Sequence, residues 1–206
     1  MKVVLYPSYF SDVITLSFAY SAQTIIWEGH GNYVKQTYRN RCYIAGANGR
    51  LALNVPVVHT GKGFSIPYKE VQIDYSEPWA DNHLKSIHSA YNSSPFYQYY
   101  QDDLEKLFSE IPELLYHWNL KTFDFLIRNM SLELNFEETT AFKNDALANN
   151  LIKAKGKPLY SVDHYIQVFR EKYGFLQPLC GLDLLFNLGP SSIAYLKSQN
   201  KRLRHS

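Results

Sequence analysis

Apolar positions change their rhythm along this chain. Up to about residue 75 they come in short unbroken runs or alternate; beyond that they recur at helical spacing. Lys2-Val3-Val4-Leu5-Tyr6 is a short buried run ended by Pro7-Ser8-Tyr9-Phe10, so it predicts a strand and a turn. Ser11 is placed to cap a helix whose face carries Val13, Leu16 and Tyr20. Thr24 to Trp27 is a second buried run. Strand, helix, strand within 27 residues predicts a parallel pair with a helical crossover. Loops then leave the carboxyl ends of both strands at one edge, where open parallel sheets bind ligands. The 7–10 turn and the 28–41 loop are therefore expected to meet there. Residues 41–44 and 51–55 flank Asn48-Gly49, the strongest hairpin signal in the chain, and Val71-Gln72-Ile73-Asp74 alternates like a further strand reached through the Gly-Lys-Gly loop at 61–63.

Helical spacing takes over at Trp79, His83, Ile87 and Tyr91, one face of a helix that Pro95 ends. A second helix is predicted from Phe96 to Phe108, and a third begins near Pro112, with Asn119 a candidate break before Phe123, Leu126, Ile127 and Met130. Ser131 to Phe136 alternates like a late strand; residues 137–158 are polar and read as a loop or lid. Helices are expected over Val162–Tyr173, after Cys180, and to about Leu196. The fold class is α/β, a single domain over 1–206: a small mixed, partly parallel sheet in the strand-rich 1–75 part, then a mainly helical 76–206 part.

Composition narrows the function classes. With 21 basic against 19 acidic residues, the net charge of +2 offers nucleic acid no long-range field. A basic cluster from Lys197 to His205 reads as a terminal tail. Two cysteines are too few for a disulfide framework or a zinc cluster, which suits a reducing, cytoplasmic setting. No window approaches the ~18 apolar residues that cross a bilayer. Seventeen Tyr and twelve Phe suit ring-lined pockets and an ordinary core alike. P-loop, dinucleotide and zinc-protease motifs are absent, and His83 and His88 lie off a common helical face, so no metal pair and no particular cofactor is read.

The candidate chemistry gathers between Trp27 and Ile44. Lys35, Arg39 and Arg41 suit a phosphate or carboxylate, with Arg41 the best bidentate clamp and Asn40 able to orient a ligand oxygen. Glu28 and His30, two apart, point the same way on an extended segment and can act as a base–acid pair. His83 offers a second imidazole, against the commoner outcome of a hydrogen-bonded core histidine. Tyr9 on the first turn, and Tyr91, are candidates to line a ligand; a core role is the alternative for Tyr91. Cys42 follows Arg41, but strand alternation turns its thiol away. Asp183 either supports a helix start or pairs with a loop arginine. Throughout, the alternative is a solvated loop with local ion pairs.

Lys35-Gln36-Thr37-Tyr38-Arg39-Asn40-Arg41 followed by Leu53-Asn54-Val55-Pro56-Val57 resembles the WbqC-like family. So do Trp79-x-x-x-His83-Leu84-Lys85-x-Ile87, Ala90-Tyr91, Pro95-Phe96-Tyr97, Gly174-Phe175 and the closing run from Pro178 to Pro190. The chain departs from that pattern at Glu28-Gly29-His30, where many members carry Asp, and at Cys180, where the helix opens on Ser. Its 137–165 region is also short. The resemblance implies a role in bacterial surface polysaccharide (O-antigen) biosynthesis, with chemistry unassigned. The expected function is a transferase-type enzyme taking an anionic or sugar-nucleotide substrate. The alternative is a scaffold protein of the same pathway, with Tyr97, Tyr99 and Tyr100 as an exposed interface.

Overall fold

The computed structural model describes residues 1–22, 24–58, 65–156 and 159–203, with side chains described as far as residue 199. The 61–63 loop and the side chains of the terminal basic cluster beyond Lys197 lie outside the described residues.

The predicted parallel pair is present. Strand β1 (Lys2–Leu5) runs parallel to β2 (Thr24–Trp27), with Leu5 opposite Trp27. Helix α1 (Val13–Ser21) makes the crossover. Its cap is Asp12 rather than Ser11: the Asp12 carboxylate accepts from Thr15 N at 2.7 Å, while the Ser11 hydroxyl bonds that of Ser8. Hairpin strands β3 (Arg41–Gly46) and β4 (Gly49–Asn54) pair antiparallel as a separate two-stranded sheet, and of the Asn48-Gly49 pair only Gly49 takes positive φ, 96°. Residues 71–74 form isolated bridges to Val57 and Leu114 instead of a strand, with Val71 and Ile73 buried.

Helices α2 (Trp79–Tyr91), α3 (Tyr97–Ser109) and α4 (Leu115–Asn129) follow, and α4 runs through Asn119 without a break. Asn119 is tolerated mid-helix because its amide is taken by tertiary acceptors, the Arg39 carbonyl and the Tyr68 hydroxyl, rather than by its own turn. The late strand starts further on than the alternation suggested. Residue 131 takes positive φ and Leu132 N bonds back to Ile127 O at 2.8 Å, so 131–134 close α4, and β5 spans Asn135–Glu138. It lies parallel beside β2, giving the order β1-β2-β5 and bringing Leu5, Trp27 and Glu138 to one edge.

The expected lid contains the end of β5 and helix α5 (Ala146–Leu151). The helix predicted over 162–173 shrinks to α6 (Arg170–Tyr173). Its earlier part is extended because Tyr165 and Gln167, two apart, both reach Asp183, and only an extended chain turns alternate side chains the same way. Helices α7 (Gly181–Leu188) and α8 (Ser192–Leu203) finish the chain. The core runs through Phe10, Leu16, Ile25, Trp118, Leu126 and Phe186. At its centre a Cβ on Gly181 would stand 2.6 Å from Leu16 and 2.7 Å from Leu126, so α1, α4 and α7 approach one another only because that residue is glycine.

Candidate functional site: the carboxyl edge of the parallel sheet

The first turn and the charged loop meet backbone to backbone. Tyr9 N donates to Tyr38 O at 2.9 Å and Tyr38 N donates to Ile152 O at 2.9 Å, so the 37–39 stretch runs between the turn and the segment after α5. Glu28 secures the arrangement. Fully buried, it accepts from His30 N at 2.6 Å and Gly31 N at 3.0 Å with Oε1, and from Lys143 N at 2.8 Å with Oε2. One carboxylate thus ties the loop after β2 to the loop after β5.

Those bonds decide where the expected proton-moving groups stand. Glu28 meets the backbone of His30, not its ring, so the expected base–acid pairing of the two side chains does not form; the half-buried imidazole reaches the Thr139 carbonyl through Nε2 at 2.8 Å. His83 is buried in α2, its Nδ1 2.9 Å from the Tyr9 hydroxyl. Burial lowers its pKa to about 4, opposed by a hydrogen bond from the ring to the Asn54 backbone carbonyl, so the ring is neutral at physiological pH. Tyr9 is therefore a core partner of His83. Tyr91 is also internal: its hydroxyl donates to Asp183 Oδ1 at 2.9 Å and accepts from Ala45 N at 3.1 Å.

The loop cations separate. Lys35 is exposed; Arg41 lies on β3 with Nε donating to Asn54 Oδ1 at 2.8 Å; Asn40 donates to the Val55 carbonyl. Arg39 alone turns inward, 3% exposed, its guanidinium 4.1 Å from the centre of the Tyr6 ring and 5.1 Å from that of Tyr68. Among the described residues Asp183 pairs with no arginine. It is buried among the hydroxyls of Tyr91 and Tyr165 and the amides of Gln167 and Asn187, and burial raises its carboxyl to about 6. Cys42 and Cys180 are buried free thiols, and burial beside Cys180 holds the Cys42 thiol well above its usual range.

The hollow at this edge is lined by Tyr38 and not by Arg39. A cavity of about 320 Å³ opens between the start of α1, Tyr38, the 150–156 segment and Tyr160. Its cations are Arg50, Lys153 and Lys155, none of which joins an ion pair among the described residues. Lys153 donates to Asn150 Oδ1 at 3.2 Å, and Arg50 stacks 4.2 Å from the Tyr43 ring centre. Among the described residues Asp12 is the only acid in the lining; buried, it is raised to about 6 by desolvation, against the hydrogen bonds it accepts from Thr15. Tyr38 lines the cavity, whereas Arg39 packs against the Tyr6 and Tyr68 rings. Among the described residues no cluster of three His, Cys, Asp or Glu could hold a metal ion. No helix among them is long and apolar enough to cross a membrane.

A family model described as the WbqC-like protein family matches residues 16–161. The chain belongs to that family. Comparison with curated proteins and with solved structures finds no match. The match spans the hairpin, the charged loop and the cavity residues Arg50, Lys153 and Lys155; Asp12 and the closing run at 178–190 fall outside it. In this WbqC-like chain the sequence reading overlooked the cavity cations for an identifiable reason. They sit on a hairpin rim and in a stretch taken for a lid, over 100 residues apart. The one local signal was a pair of lysines, Lys153 and Lys155, two residues apart in a short stretch.

Proposed function

We propose that this WbqC-like protein binds an anionic or activated sugar-type substrate in the cavity beside Tyr38 and transfers a group from it, in bacterial surface polysaccharide synthesis. One observation carries the reading: three cations ring a 320 Å³ hollow, and among the described residues none of them has a carboxylate partner. A pocket of that size suits a small ligand, and clustered cations suit phosphate. Tyr38 and Tyr160 supply aromatic walls. Asp12 is the group in the lining able to take the proton that an acceptor O–H or N–H loses as its new bond forms and the bond to the anionic leaving group breaks. Titration calorimetry with UDP-glucose tests the reading. Arg50→Ala/Lys153→Ala should weaken binding at least about tenfold, the loss of roughly 1.4 kcal/mol. Equal affinity of variant and parent would sink it.

The second reading, a binding protein without catalysis, is favoured by Glu28 and His83 being engaged in the scaffold. Its proposed tyrosine interface fares worse, since Tyr97 is buried, Tyr100 half-buried and Tyr99 alone exposed, at 78%. Intact nucleotide sugar recovered after long incubation with every acceptor class offered would support it.

A further inference from the structure

The three-stranded sheet has two outer edges, and the fold treats them differently. Along β1 the edge is closed. Val3, Val4 and Leu5 are buried, α5 packs beside the strand, and the Tyr6 hydroxyl just beyond it donates to Asn149 Oδ1 of α5 at 3.2 Å. Along β5 the edge is open, with every residue from Asn135 to Glu138 exposed. The parallel ladder fixes which backbone groups are left over. Thr139 N donates to Trp27 O at 3.0 Å, so by alternation residues 135 and 137 turn their backbone toward β2, whereas Phe136 and Glu138 turn their N–H and C=O groups outward. Among the described residues no backbone partner meets them there. An edge of this kind is a template for another strand.

A groove runs beside that edge. It encloses about 410 Å³ between β5 and α4, floored by Trp27, Phe123 and Phe136 and flanked by Leu120. The Trp27 ring centre lies 4.8 Å from that of Phe123 and 6.0 Å from that of Phe136, yet Phe136 remains 45% exposed. Asp124, Glu137 and Glu138 complete the lining, with no cation among the described residues, the opposite balance to the cavity beside Tyr38. Glu138 is held by Lys69 at 2.6 Å. Glu137 and Asp124 meet Lys2 and Arg128 in pairs whose side chains are all 48% exposed or more. Such solvated pairs contribute little to stability, so both carboxylates can take another cation.

We propose that the β5 edge and this groove dock an extended segment of another protein, one that alternates apolar and basic residues. Its main chain pairs with the outward groups of Phe136 and Glu138. Phe136 and Glu137 point to opposite faces of the sheet, Phe136 toward Trp27 and Glu137 toward Lys2. The segment's apolar side chains therefore enter the groove while its basic ones lie beside Glu137 on the other face. Charge decides the occupant. A second copy adding its own β5 would bring the glutamates of both strands together, and like charges across a strand pair repel. The same glutamates attract a cationic strand.

Amide hydrogen exchange of the full chain, followed by NMR with a synthetic peptide alternating valine and lysine, tests this. Bound peptide should slow exchange at Phe136 and Glu138 by about tenfold or more, while Thr139, already bonded to Trp27, changes little. N-methylation of the peptide at the residues facing β5 removes their donors and should weaken binding about tenfold. Replacing its lysines with glutamate should abolish binding. Phe136→Ala should weaken it severalfold, and Asp124→Asn/Glu137→Gln should lower both the affinity and its sensitivity to salt. No new protection at Phe136 and Glu138, whether or not the peptide binds, would overturn the proposal. Affinity unchanged by N-methylation, or equal for the lysine and glutamate peptides, would do the same. Protection that grows with protein concentration in the absence of peptide would mean that a second copy covers β5, and would also overturn it. Should Phe136→Ala fail to fold, the exchange pattern of the parent protein and the N-methylated peptide decide the question.

Discussion

Two ionisable side chains are buried in this molecule in opposite ways. Asp183 has four neutral donors, the Tyr91 and Tyr165 hydroxyls and the Gln167 and Asn187 amides, so its lone pairs are used though no cation faces it. Arg39 has ring faces, a side-chain contact to the Tyr6 hydroxyl and a long one to that of Thr37, and its Nε has no partner among the described residues. Asp183 binds α7 to α2 and to the extended 160–167 stretch, so every partner is part of the fold's own hydrogen-bond network. Nothing comparable surrounds Arg39. The contrast separates a charge hydrogen-bonded into the scaffold from one held mainly between ring faces.

Removing each charge in turn should expose that difference most strongly. Asp183→Ala leaves several buried donors unsatisfied and should cost on the order of 4 kcal/mol in urea unfolding, with early loss of amide protection over 160–167. A cost under about 1 kcal/mol would erase the distinction.

Titration gives the next largest effect. Asp183 and Asp12 both have carboxyl pKa values near 6 in the folded protein, raised by burial from 3.8. In this window the folded state holds protons that the unfolded chain has released. Each group's contribution is therefore greatest below pH 4 and is lost as pH rises toward 6, by about 3 kcal/mol. Asp12→Asn keeps a capping side chain and cannot ionise. The stability of the parent relative to this variant should fall by roughly that amount between pH 4 and 7; a flat difference would refute the shift.

Arg39→Met should change stability in chloride by no more than about 1 kcal/mol, since relief of desolvation offsets the lost ring contacts. Destabilisation as large as that of Asp183→Ala would make Arg39 an ordinary structural residue. The smallest effect is expected from Arg41→Ala, about 0.5 kcal/mol and under twofold in ligand affinity, because Arg41 bonds Asn54 on the hairpin surface. A large loss of affinity there would return the clamp to the position where residue type alone had put it.

Much of the frame was legible in the sequence alone. Buried runs at 2–6 and 24–27 around a helical interval required a parallel pair, and the pair dictated that the 7–10 turn and the 28–41 loop share an edge. Helical spacing from Trp79 to Tyr91 placed α2 closely. The failures have a common cause. Asn119, Tyr165 and Gln167 have local preferences that were overridden by distant partners, the Arg39 carbonyl and Asp183, and no local window contains those partners.

The same division applies to the chemistry. Residue types and their order were enough to indicate an α/β chain with a charged arc at a sheet edge, because apolar periodicity and strand direction are local properties. Which cation turns inward, which carboxylate becomes a tether, and where a hollow opens were settled by contacts spanning up to about a hundred residues or more, such as Glu28 to Lys143 and Arg50 beside Lys153. Burial and hydrogen-bond satisfaction are properties of the assembled neighbourhood. An identical Arg-Asn-Arg triplet could expose all three side chains on another scaffold; here packing against Tyr6 and Tyr68 singles out Arg39.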